Sequence, residues 1–184
     1  SGLYGGSGIP LDENMKPIRP CMIWMDRRAD DETKWVLDHI GEEKLLEITH
    51  NGADPYYGYT KILWMKNHEP ENWAKTKLFL PPNDYVIYHL TGEIAIDYSS
   101  AGNIGGIFDM NTRTWSEELM EAMGIPMSMM PQRIVESTDI VGGMTKEAAE
   151  DLGLWEGLPV IASGIDCGAA NIGLGVFESG VYAA

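Results

Sequence analysis

The sequence predicts an α/β fold, because short apolar runs typical of strands alternate with segments of helical periodicity. Residues 77–80 form one such run between predicted helices over 59–67 and 83–90. Residues 158–162 form another, predicted to be a buried strand, and a turn and a helix rich in small residues follow it. We therefore expect strands connected by helices, with a seam near residue 157 where a new strand-turn-helix unit begins.

The first 50 residues are predicted to contain two strands and then two helices. Residues 9–11 and 20–25 are apolar runs separated by a polar turn, which indicates two connected strands. From residue 29 the apolar residues recur at helical spacing, and acidic residues occupy the first turn, where the helix dipole favours them. Gly41 is expected to divide this stretch into two helices.

The middle of the chain contains shorter elements. Residues 94–96 indicate a strand, and the small residues 99–102 indicate a turn. Thr114 with Glu117 three residues later has the spacing of a capping box in front of a helix that ends at a glycine and a proline. A further helix is predicted over 145–152.

Composition excludes several classes of function. The 184 residues include 13 Lys plus Arg and 28 Asp plus Glu, for a net charge of −15, which argues against a general nucleic-acid binder. The apolar runs are far shorter than the roughly 20 residues of a membrane-spanning helix. Cys21 and Cys167 lie far apart and suggest no disulfide framework, so we expect a cytoplasmic protein. The chain starts at Ser1 without a methionine, and we expect it to be a piece of a longer protein.

Asp166 is the most informative candidate for catalysis. It follows the predicted strand 158–162 in a glycine-containing turn and opens a helix, and the carboxyl ends of strands are where open α/β sheets place their sites. Local sequence alone favours a structural role, in which the aspartate caps the helix.

Two further segments carry side chains suited to ligand binding. Trp24 and Asp26 end the predicted strand 20–25, and Tyr56 lies in an Asp-Pro-Tyr-Tyr turn, where a phenol offers one stacking face and one hydrogen bond. The alternatives are structural: an Asp26–Arg28 ion pair, core packing for Trp24, and surface packing for the tyrosine.

The sequence offers no metal site and no phosphate loop of the common kinds. The four histidines are scattered, without the spacing of two ligands on one helix face. Neither a G-x-G-x-x-G nor a G-x-x-x-x-G-K-[ST] motif occurs, so a nucleotide would have to be held by other segments.

Taken together, these segments resemble the FGGY family of carbohydrate kinases. Residues 17–28, P-I-R-P-C-M-I-W-M-D-R-R, resemble the family's P-x-R-x-x-I-x-W-x-D-x-R, and residues 60–64, T-K-I-L-W, resemble its T-K-L-x-W helix. Residues 82–92 are similar to P-x-D-Y…L-T-G, and residues 163–166, S-G-I-D, to its G-G-x-D turn. The motifs occur in the family's order along nearly the whole chain.

The resemblance implies a ribonuclease H-like, actin-like ATPase fold, with residues 1–157 in the N-terminal sugar-binding domain and residues 158–184 opening the C-terminal, ATP-binding domain. It implies ATP-dependent phosphorylation of a sugar, ketose or polyol, with Asp166 as the general base. ATP and Mg²⁺ would be bound mainly by segments outside this chain, and a homodimer is possible. The substrate-binding positions that the resemblance implies are Tyr4, Gly5, Trp24, Asp26, Tyr56 and Cys167.

The substrate positions also depart from two branches of the family. Tyr4-Gly5 stands where xylulokinases usually have Met-His and glycerol kinases have Arg-Glu, and Cys167 replaces the amide that usually follows the base. Loss of a polar partner alters specificity steeply. An alternative function on the same fold is therefore a noncatalytic sugar-binding or interaction module.

Overall fold

Helix α3 (Gly58–His68) lies at the centre of the main apolar core. The computed structural model describes residues 7–176, 178 and 180. Tyr59 and Met65 of α3 are fully buried among side chains from later in the chain, including Phe108 and Met120. Large apolar side chains of this kind each contribute about 2 kcal/mol on burial, so α3 and its neighbours form a stable base for the loops that it supports.

The helices alternate with short strands along the described chain. Before residue 92 they are α1 (Asp30–His39), α2 (Glu42–Thr49), α3, α4 (Pro70–Lys75) and α5 (Pro82–Thr91). After it they are α6 (Tyr98–Ile104), α7 (Glu117–Met123), α8 (Lys146–Leu152) and α9 (Asp166–Gly173), and a 3₁₀ turn spans Met127–Met129. None of the described helices is long and apolar enough to cross a membrane.

The strands pair two by two in the described residues. They are β1 (Ile9–Leu11), β2 (Leu78–Leu80), β3 (Ile96–Asp97), β4 (Phe108–Asp109), β5 (Thr114–Trp115), β6 (Ile134–Val135), β7 (Ile140–Gly143) and β8 (Pro159–Ile161). β3 and β6 pair in parallel, whereas β1 with β2, β4 with β5, and β7 with β8 are antiparallel. The β3–β6 pair leads directly into α6, which positions part of the candidate site.

The predicted long helices are confirmed. Gly41 separates α1 from α2 and has a φ of +90°, a conformation that a residue with a Cβ rarely adopts. The predicted helix 145–152 is α8, and Thr145 caps it by accepting a hydrogen bond from the N–H of Ala148. These elements form where local capping and periodicity agree with the burial of an apolar face.

Four predicted elements are wrong in detail. Within the described part of the chain, residues 20–25 make only an isolated bridge, between Met22 and Gly8, because β1 pairs instead with β2. Residues 99–102 lie inside α6 and do not form a turn. Ser116, rather than Thr114, caps α7. The segment 158–162 is a strand at its centre, but the strand itself is not buried, since Ile161 is 50% exposed and only Ala162 after it is buried.

Candidate functional site

Trp24 and Tyr56 form an aromatic cluster at the surface. Their ring centroids lie 6.1 Å apart at an interplanar angle of 58°, and Tyr57 contacts Tyr56 edge-on at 5.2 Å. Trp24 is 41% exposed, so it is not an ordinary core residue. Tilted aromatic rings at this distance leave ring faces available to the C–H groups of a ligand.

An ion pair links the two segments that carry these rings. Arg27 donates to both carboxylate oxygens of Asp54, at 3.0 and 3.1 Å, and so links the Trp24 segment to the Tyr56 turn. Hydrogen bonds from Arg27 hold the pKa of Asp54 below its ordinary value. Asp54 Oδ1 also accepts from the N–H of Tyr56 at 2.7 Å, which closes the turn locally.

Asp26 is paired with Arg28, as the structural interpretation of the sequence proposed. Arg28 Nε lies 2.9 Å from both carboxylate oxygens of Asp26, and these bonds hold the pKa of Asp26 below its ordinary value. The Arg28 guanidinium also lies 4.8 Å from the centre of the Trp64 ring. The ionised, half-buried carboxylate keeps acceptor capacity for hydroxyl donors, because two oxygens offer about four acceptor positions.

Lys61 holds the turn that carries Tyr56, a role that the sequence did not predict. Its side chain is buried, at 3% exposure, and its ammonium donates to the carbonyl oxygens of Pro55 and Tyr56, at 2.5 and 2.8 Å. Burial lowers the pKa of Lys61 from 10.5 to about 8, while the charges of Asp26 and Asp54 act in the opposite direction. The only available signal was its place in the T-K-I-L-W motif, which does not reveal the carbonyl contacts.

Lys61 should give the protein a pH-dependent contribution to stability. Because the folded-state pKa lies below the ordinary value of 10.5, the unfolded chain binds more protons between about pH 8 and 10.5, and this contribution increases with pH through that window. Relative to Lys61→Met, we expect the thermal midpoint of the wild type to increase from pH 7.5 to pH 10. The exposed Lys75→Met serves as the control and should show no such change. A relative decrease across the window would contradict the assignment.

Helix α6 connects the aromatic cluster to the turn that carries Asp166. Near its end, Asn103 lies within 3.4 to 3.5 Å of the Tyr56 hydroxyl. Near its start, Ser99 Oγ accepts a hydrogen bond from the N–H of Ile165 at 3.0 Å. Four residues of helix correspond to about 6 Å, so the two contacts lie one turn apart on α6.

Asp166 is exposed and is the first residue of α9. The residue in the capping position is Ile165, so the structural interpretation of Asp166 as the helix cap is wrong. Asp166 Oδ1 accepts a hydrogen bond from the N–H of Cys167 at 3.0 Å, and the Cys167 thiol is exposed. A carboxylate with this exposure can accept a proton from a substrate hydroxyl without a change in the surrounding core.

The structure thus brings together only part of the expected site. Trp24, Asp26 and Tyr56 lie in linked segments, whereas Asp166 and Cys167 lie on α9, beyond the other end of α6. Tyr4 and Gly5 lie outside the described residues. Among the residues that the structure does describe, no group of three or more His, Cys, Asp or Glu side chains could hold a metal ion.

Comparisons with known proteins identify the family. Residues 4–173 match the model of the FGGY family of carbohydrate kinases, N-terminal domain. The chain is 36% identical to the xylulose kinase of Lactococcus lactis over 94% of its own length and 34% of that protein, and 27% identical to the gluconokinase of Bacillus subtilis over 96% and 34%. The chain therefore spans about a third of the length of the curated relatives that it matches.

Solved structures agree on the fold. The crystal structure of xylulose kinase from Rhodospirillum rubrum matches with a TM-score of 0.89 at 29% identity, over 95% of this chain and 35% of that one. The resemblance inferred from the sequence motifs, and the α/β fold that it implied, are confirmed. The chain belongs to the FGGY family of carbohydrate kinases and has the actin-like, ribonuclease H-like fold of that family.

Proposed function

We propose that the protein containing this chain transfers a phosphoryl group from ATP to a hydroxyl of a sugar, ketose or polyol, and that the described residues supply the sugar side of the site. The observation that carries the proposal is the exposed carboxylate of Asp166, fixed through Ile165 to α6, whose other end contacts Tyr56 of the aromatic cluster. Helix α6 thus contacts both the segment that carries the acid-base group and the segment that carries the aromatic ring.

In this function Asp166 accepts the proton of the attacking hydroxyl. The hydroxyl oxygen forms a bond to the γ-phosphorus, the bond from that phosphorus to the bridging oxygen breaks, and ADP leaves with the electron pair. Phosphoryl transfer depends mostly on positioning and neutralisation of charge, so one well-placed carboxylate is the chemistry that this chain needs to provide.

The sugar would lie between the rings and the carboxylates. Trp24 and Tyr56 offer ring faces to its C–H groups, and Asp26 offers acceptor oxygens to its hydroxyls. Roles for Tyr4, Gly5 and Cys167 in substrate binding stay predictions, as does the domain boundary between residues 157 and 158. The relatives named as xylulose kinase and gluconokinase make ketoses and sugar acids the first substrates to test.

ATP and Mg²⁺ are assigned to segments outside the described residues. Within the described ranges no cluster of side chains suits a metal ion, so no residue here is proposed as a Mg²⁺ ligand. The net charge of −15 also makes this chain a poor partner for a polyphosphate unless other segments neutralise it. We further propose a cytoplasmic location, consistent with the free thiols of Cys21 and Cys167. A homodimer also stays a prediction.

The direct test is an ATP-coupled phosphorylation assay of the full-length protein on a panel of ketoses, polyols and aldonates. Turnover of at least one of them at a rate typical of kinases is expected. Sugar binding without any turnover would instead identify the noncatalytic module.

Trp24→Ala should raise KM for the accepted sugar about tenfold, because loss of a stacking face removes about 1.4 kcal/mol of binding. Trp155→Ala provides the matched control, since Trp155 is 64% exposed and lies outside the aromatic cluster. An unchanged KM for Trp24→Ala, or an equal change in both variants, would remove Trp24 from the sugar site.

A further inference from the structure

A buried carboxylate is connected through Ser99 to the turn that carries Asp166. Asp97 is the last residue of β3, has no exposed surface, and caps α6. Its Oδ1 accepts from the N–H groups of Ser99 and Ser100, at 2.8 and 3.1 Å, and from the Ser99 hydroxyl. Its Oδ2 accepts from the Ser100 hydroxyl at 2.5 Å.

This cap determines the direction of the Ser99 hydroxyl. A serine hydroxyl has one proton to donate, and Ser99 donates it to Asp97, so its lone pairs are left to accept. The donor that they accept is the N–H of Ile165, the residue immediately before Asp166. Because the hydroxyl donates to Asp97 and accepts from Ile165 at the same time, its orientation is well defined.

The same turn is held on a second side by the loop between β6 and β7. The N–H of Ser163 donates to the carbonyl oxygen of Ser137 at 2.8 Å. A Cβ on Gly164 would lie 3.1 Å from both the Ser99 and the Ser137 hydroxyl oxygens, so the turn is packed closely between these two side chains. Of these two serines, Ser99 is the one whose hydroxyl accepts a hydrogen bond from Ile165, the residue immediately before Asp166.

We propose that Ser99 is a positioning residue for phosphoryl transfer: its hydroxyl, oriented by Asp97, holds the backbone of Ile165 and so fixes Asp166 against the substrate hydroxyl. The inference rests on the proposed function, because it gives Asp166 the role of base. A displacement of about 1 Å in a reacting group can lower a rate about 10²-fold, so one backbone anchor of this kind influences kcat without contacting the sugar.

The chain supplies a matched pair of variants. Ser99→Ala and Ser100→Ala each remove one hydroxyl from Asp97, but only Ser99 contacts Ile165. In the full-length protein, Ser99→Ala should lower kcat tenfold or more with KM for the sugar within about threefold. Ser100→Ala should keep kcat within about twofold. The thermal midpoint of Ser99→Ala should be no lower than that of Ser100→Ala, since Ser100 is the more deeply buried residue.

Hydrogen exchange of the amide of Ile165 gives a readout independent of activity. Ser99→Ala should accelerate this exchange, and Ser100→Ala should not. Unchanged exchange in Ser99→Ala, or faster exchange with an unchanged kcat, would overturn the positioning role, as would an equal loss of kcat in both variants. If the full-length protein phosphorylates no sugar, the proposed function fails, and the positioning role for catalysis fails with it, while the exchange still decides whether Ser99 anchors the turn.

Discussion

Asp166→Asn is expected to lower kcat of the full-length protein by on the order of 10²-fold or more, with the fold retained. An amide cannot accept the proton of the attacking hydroxyl, so the step loses its base. The fold should survive because Asp166 is exposed and the asparagine carbonyl can still accept the hydrogen bond from the N–H of Cys167. KM for the sugar should change much less than kcat.

Asp31→Asn is the matched control for this substitution. It makes the same change of charge at a carboxylate whose side chain is 90% exposed, near the start of α1. Its kcat should equal that of the wild type. A correctly folded Asp166→Asn protein with near-wild-type kcat would exclude Asp166 as the base.

The elements that could be predicted from the sequence are those whose causes are local. α1 and α2 have apolar residues at helical spacing, acidic first turns and a glycine between them, and α8 has a side-chain cap and a terminal glycine. α6 lacks such signals, because Ser99, Ser100 and Gly102 are poor helix formers in isolation. It forms because Asp97 caps it and Ala101 and Ile104 are buried in the core, and only the folded chain shows this.

In the candidate site, the residue types could be predicted from the sequence, but their arrangement in space could not. The residue types of Asp166, Trp24 and Tyr56 marked them as candidates, and the family resemblance gave them roles. Their arrangement depends on long-range contacts: Arg27 with Asp54, and Ser99 with Ile165, 66 residues apart. Sequence periodicity carries no information about such pairs, which explains why Lys61 and Ser99 emerged only from the structure.

Asp97→Asn and Asp84→Asn should have opposite effects on stability, although both are buried carboxylates in one cluster. Asp97 accepts three N–H and two O–H hydrogen bonds, and an asparagine replaces one acceptor oxygen by a donor group. Leaving buried donors without an acceptor costs about 2 kcal/mol, so Asp97→Asn should lower the free energy of unfolding by that amount or more.

Asp84 is 2% exposed, and its Oδ2 has no hydrogen-bond partner among the described residues. Burial and the negative charge of Asp97 raise the pKa of Asp84 well above its ordinary value of 3.8. From that value up to the raised folded-state pKa, the folded state binds more protons than the unfolded chain, so the contribution of Asp84 to stability falls as pH rises. Asp84→Asn removes the titrating carboxyl group, and with it this fall in stability as pH rises.

We therefore expect the thermal midpoint of Asp84→Asn to exceed that of the wild type at neutral pH, and the difference to grow as pH rises from 3.8 towards the raised pKa of Asp84. Asp97→Asn should show a lower midpoint throughout that range. The two variants carry the same chemical change within one cluster, so each controls for the other. Destabilisation by Asp84→Asn, or a benefit of Asp84→Asn that shrinks as pH rises, would show that the pKa of Asp84 is not raised in the folded protein. An unchanged midpoint in Asp97→Asn would show that Asp97 is not the main acceptor at the start of α6.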